Sequence, residues 1–139
     1  MLATSELLNL VNNCQVDQME KAGKELDPAH QESCAKFSVH VRAVESAMVH
    51  TYQMTAFASL REPDPALAAK LWQDMTAFCD RAITALKTLK DKYPWCGAPQ
   101  LFDLALDYRS EAQKRYYQNL QDAECAKTPP PEGLFPRMI

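Results

Sequence analysis

The chain has 139 residues, 47% of them apolar, enough for one domain with a core and too few for two ordinary ones. That apolar share excludes wholesale disorder, and three glycines with little alternation of β-branched residues argue against a sheet. The net charge is −3, with lysines and arginines scattered among acids, so no basic stripe exists to displace counterions from a nucleic-acid backbone.

No run of about 18 apolar residues occurs, so no membrane span is expected. Met1 to Leu10 lacks a positively charged stretch and carries Glu6, which predicts no signal peptide and a cytoplasmic location. A periplasmic or secreted location is the alternative if a leader has been removed.

Residues 4–26 read as the first helix. Thr4 or Ser5 can cap it, and Glu6 suits the positive end of the helix dipole. Leu7, Val11, Cys14, Ala22 and Leu26 form a broken apolar stripe, with Met19 beside the gap at Gln18. Asn12, Asn13 and Gly23 lower the helix propensity, so this is expected to be the weakest of the helices.

Residues 27–61 read as the second helix, opening on Asp27-Pro28-Ala29 with Asp27 as N-cap and Pro28 at the first helical position. Cys34, Phe37, Val41, Val44, Met48, Thr51, Thr55 and Ala58 recur in steps of three and four, the seam of a long helix that buries one stripe. Pro63 disfavours helical geometry at Glu62 and ends it.

Residues 64–93 read as the third helix, opening with the same tripeptide, Asp64-Pro65-Ala66. Its seam is Ala68, Leu71, Met75, Phe78, Ala82, Ala85 and Leu89. A second row, Trp72, Cys79, Leu86 and Tyr93, lies beside it. Two adjacent rows predict a helix that touches more than one neighbour, and a face wide enough for self-association. The repeated tripeptide is read as two similar helix starts, because the residues that follow do not match.

The short turn from Tyr93 to Pro99 leads to the fourth helix, residues 99–126. Its stripe is Leu101, Ala105, Tyr108, Ala112, Tyr116, Leu120 and Ala123. Asp103, Asp107 and Glu111 form a separate acidic row, read as a solvated face. The whole predicts an all-α fold over residues 1–126: a four-helix up-down antiparallel bundle in which the first helix packs beside the fourth.

An extended, proline-rich tail follows over residues 127–139. Thr128-Pro129-Pro130-Pro131 favours polyproline II, and the end is apolar. Leu134, Phe135, Met138 and Ile139 need a surface, either on this bundle or on another chain.

Three constellations could carry function. Counted from the helix ends, Cys14, His40 and Cys79, with Glu111, fall at one height of the bundle, and these are ligand types of zinc and related metals. Equal height does not make side chains face each other, so this metal or small-ligand site is the alternative reading. Trp95 and Tyr117 lie off the stripes and are expected as exposed anchors for a partner, together with the apolar tail residues. The five cysteines contain no CxxC pair. Cys34 with Cys96 is the one pairing that helix heights allow, and it requires the loop to fold up toward Cys34. Otherwise all five are unpaired thiols of a reducing compartment.

No phosphate loop, GxSxG, HExxH or nucleophile–base spacing is found. The expectation is a small non-enzymatic protein-binding module without a cofactor, of adaptor, chaperone, regulatory or toxin-neutralising type. Its partner is another protein.

Overall fold

The computed structural model describes residues 4–127, which form four helices: α1 (Thr4–Lys24), α2 (Gln31–Arg61), α3 (Pro65–Lys92) and α4 (Ala98–Lys127). The all-α, up-down four-helix arrangement read from the sequence is the observed one. Two turns, residues 25–30 and 93–97, lie at one end of the bundle, the base. The α2–α3 turn, the start of α1 and the end of α4 lie at the other, the top. The apolar tail lies outside the described residues, and with it Leu134, Phe135, Met138 and Ile139.

The packing order differs from the expected ring. Among the described residues no Cα of α1 comes within 8 Å of one of α4. Instead α2 and α3 occupy the middle, α1 lies against both on one flank, and α4 lies against both on the other. The contact of α3 with α4 is by far the most extensive. Ala98, Ala105 and Ala112, seven residues apart and fully buried, explain it, since small side chains on the seam let the two helices approach closely. Between α2 and α4 the spacing is wider and is filled by aromatics. Tyr52 stacks on Tyr108 with ring centres 4.6 Å apart and meets Trp72 edge-on at 5.6 Å.

An ion cluster joins α1 to α3. Arg81 donates to Asp17 at 2.7 Å and to Glu20 at 3.1 Å, and these carboxylates raise the guanidinium's pKa further. The buried face of α1 is also rotated from the expected stripe. Ala22 and Leu26 are buried as expected, but Asn12, Val16, Met19 and Gly23 point inward with them, while Leu7, Val11 and Cys14 are exposed. Two features cause the rotation. Asn12 finds a buried partner in Thr51, and Gly23 lets α1 close onto Leu89 and Phe37.

The start of α2 is a second correction. Asp27 does not cap the helix. One carboxylate oxygen accepts from the Ala29 N–H at 3.0 Å, closing a turn over Pro28, and the other lies 2.9 Å from Nδ1 of His30. The Asp27 N–H is taken by the hydroxyl of Ser33. These bonds hold residues 27–30 as a turn, so the helix begins at Gln31 with His30 in extended conformation before it. At Asp64 the same tripeptide behaves as expected: its carboxylate accepts from the Ala66 N–H and the helix begins at Pro65. The α3 seams match the buried residues, with only Leu71 half-exposed. No helix of the described residues is long and apolar enough to cross a membrane.

Candidate functional site

The upper half of α1 is where the bundle fails to close. Val16, Met19, Ala22 and Leu26, in the lower half, are buried, but Leu7, Leu10 and Val11 are each about half exposed. With no fourth helix beside it, the start of α1 leaves a cleft against the end of α2 and the start of α3. The cleft has a volume of ≈ 280 Å³. Leu8 of α1, Met54 and Ala58 of α2, and Leu71 of α3 form its walls. Thr51, Thr55 and Met75, all buried, form its floor. The 54–58 and 71–75 spacings place lining residues of α2 and of α3 one helical turn apart, so the groove runs along the helices.

Two charged residues line this groove, Glu62 and Asp74, and both are acids. Asp74 pairs with Lys70 at 2.7 Å, and Glu62 accepts from the Asp64 N–H at 3.2 Å. Leu67, one turn before Leu71 on α3, and Phe57, one turn after Met54 on α2, do not line the groove. Both are exposed, and the guanidinium of Arg61 covers the Phe57 ring at 4.1 Å.

The residues singled out from sequence do not assemble into one surface. Trp95 is exposed in the basal turn, its ring against Tyr93. Tyr117 is exposed on the outer face of α4, roughly 30 Å up the helix from Ala98 at 1.5 Å per residue. Tyr117 has Leu120 and Cys125 on one side and, on the other, lines a shallow depression with Gln73, Thr76 and Ala77 of α3. Of the metal-type layer, Cys14 is exposed on α1, His40 is half-buried beside Gln18 and Lys21, and Cys79 is fully buried within the core. Among the described residues no three His, Cys, Asp or Glu side chains converge as metal ligands. Burial pushes the Cys79 thiol up to about 12, with Asp80 adding to the rise and Arg109 opposing it, so the group stays protonated at neutral pH. The acidic row of α4 remains at the surface, where Glu111 accepts from Arg115 at 3.0 Å.

Sequence reasoning missed the groove because each of its walls belongs to a different helix. The available signal was the apolar excess on the first helix: Leu7, Leu8, Leu10 and Val11 are more than one stripe can bury. Comparison with protein-family models, with curated proteins and with solved structures finds no match to this chain.

Proposed function

We propose that this chain is a small non-enzymatic protein-binding module, and that the groove between α1, α2 and α3 receives an apolar segment of a partner protein. The observation that carries this reading is the groove itself: an open, largely apolar channel walled by Leu8, Met54, Ala58 and Leu71, with acids as its only charged lining among the described residues. Helix-in-groove recognition uses a channel of this kind, with anchors repeating at three or four residues. Asp74 is already neutralised by Lys70, and Glu62, which forms no ion pair among the described residues, favours an apolar segment that carries a basic residue. An adaptor, chaperone, regulatory or toxin-neutralising role would each use such a groove.

The test is co-purification from the source cells with wild type, Met54→Asp, Tyr117→Ala and a chain lacking residues 128–139. A partner retained by wild type and by Tyr117→Ala, and lost with Met54→Asp at unchanged helicity, is the expected result. Stronger capture by the shortened chain would mean that Leu134, Phe135, Met138 and Ile139 compete for the same groove. Capture that is indifferent to Met54 but lost with Tyr117→Ala would move the binding face to α4.

A further inference from the structure

We infer that Cys34 and Cys96 are a redox-modifiable pair that closes to an intramolecular disulfide by exchange with a low-molecular-weight disulfide such as oxidised glutathione.

The basal turn does fold up toward α2, as a Cys34–Cys96 pairing demands. The Cys96 thiol donates to the backbone carbonyl of Cys34, 3.8 Å away. The Cys34 thiol in turn faces the carbonyls of Pro28 at 3.8 Å and Asp27 at 4.0 Å. Three chain segments, the α1–α2 turn, the first turn of α2 and the α3–α4 turn, thus meet around two thiols. Summing bond lengths from the Cys96 sulfur to the Cys34 carbonyl puts the two Cα atoms at most about 9 Å apart. A disulfide needs about 7 Å or less and side chains that face each other, so closure takes a Cα shift of roughly 2 Å at most together with a turn of the Cys34 thiol away from Asp27 and Pro28.

The segment that must shift is built to do so. Cys96 sits at φ 66° and Gly97 at φ 80°, consecutive left-handed residues in a turn bounded by proline on either side. A non-glycine residue there costs about 1 kcal/mol relative to the right-handed or extended regions, a cost that a rearranged turn can shed. Both sulfurs belong to half-buried residues, which a small reagent reaches. The remaining cysteines are placed differently: Cys79 is inaccessible in the core, Cys14 lies on α1, and Cys125 lies near the top of α4.

The exchange runs in two steps. Cys34, as thiolate, attacks one sulfur of oxidised glutathione; an S–S bond forms to the protein, and the displaced glutathione thiolate takes up the proton Cys34 lost. Cys96, as thiolate, then attacks the Cys34 sulfur of this mixed disulfide and expels the second glutathione, which takes up the second proton. Two protein thiols are oxidised to one disulfide, and one glutathione disulfide is reduced to two thiols. Burial, with Cys34 nearby, raises the Cys96 pKa and so lowers its thiolate fraction, a loss that the proximity of an intramolecular second step offsets.

The full chain is equilibrated across a series of reduced-to-oxidised glutathione ratios, trapped with a maleimide, and read by intact mass and peptide mapping. The expected product has lost about 2 Da, keeps three of its five thiols, and carries a Cys34–Cys96 linked peptide. Its melting temperature is higher than that of the reduced chain. A Cys14→Ser/Cys125→Ser variant forms the same link, and Cys96→Ser stops at the glutathione adduct on Cys34. Five free thiols at every ratio, or a link mapped to Cys14 or Cys125, overturns the inference, and the wild-type map decides even if a variant does not fold. The outcome is independent of whether the groove binds a partner.

Discussion

The Asn12 side-chain amide donates to the hydroxyl of Thr51 at 3.1 Å, and both residues are buried, so α1 and α2 share a polar contact at the foot of the groove. Thr51→Val leaves the Asn12 amide without its partner in the interior. A destabilisation of about 1–3 kcal/mol is expected in urea unfolding. Replacing both, as Asn12→Leu/Thr51→Val, removes the unpaired group, and the double variant should be more stable than Thr51→Val alone. A double variant less stable than the single one would show that this contact is not what holds the site.

Cys79 makes stability depend on alkaline pH. Its thiol titrates near 9 when unfolded and is pushed up to about 12 by burial in the fold. The native state therefore keeps a proton that the unfolded chain releases. Its contribution is fully present below pH 9 and declines as pH rises toward 12, by about 1.4 kcal/mol per pH unit. Lysines and tyrosines titrate in the same range, so the measurement is the difference between wild type and Cys79→Ala. The Ala variant should be the less stable at pH 7 through the lost packing, and the gap should narrow between pH 9 and 10.5. A gap independent of pH would contradict the assignment.

Arg81 fastens α1 to α3 through Asp17 and Glu20. Its side chain is 31% exposed and Asp17 more so, which limits the pair's worth to about 1 kcal/mol or less. Arg81→Met should cost that much at low salt and less at 1 M salt. Hydrogen exchange should quicken in residues 12–24 and leave α4 unchanged. Equal quickening in α4 would mean that the flanks are not separate.

Gly23 is the closest approach of α1 to the rest of the molecule. A Cβ built there would lie 2.7 Å from one methyl of Leu89 and 3.2 Å from the Phe37 ring. Gly23→Ala gains about 1 kcal/mol of helix propensity and meets an overpacking cost of about 1–3 kcal/mol. The net expectation is a lower melting temperature. A rise would show that Leu89 yields without cost.

The long seams were legible because their periodicity is made of apolar residues. Phe37, Val41, Val44 and Met48 on α2, and Met75, Phe78, Ala82 and Leu89 on α3, are buried as their spacing required. On α1 the true seam runs through Asn12 and Gly23, which a hydrophobic pattern scores as interruptions although one is paired and the other closely packed. The turn at Asp27 was misread because one tripeptide has two outcomes, and the difference lies in side-chain bonds from His30 and Ser33. The placement of α1 across from α4 was hidden for a third reason. Short loops constrain which helices follow one another, not which flank of a central pair each one takes. The groove follows from that placement and was hidden with it.

Because no Cα of α1 comes within 8 Å of one of α4 among the described residues, the α2–α3 pair acts as a spine through which the two outer helices share one core. A binder that pried the first rod outward would wet the flank of the core that this rod covers, while the alanine-lined junction on the far side would still clasp the last two rods.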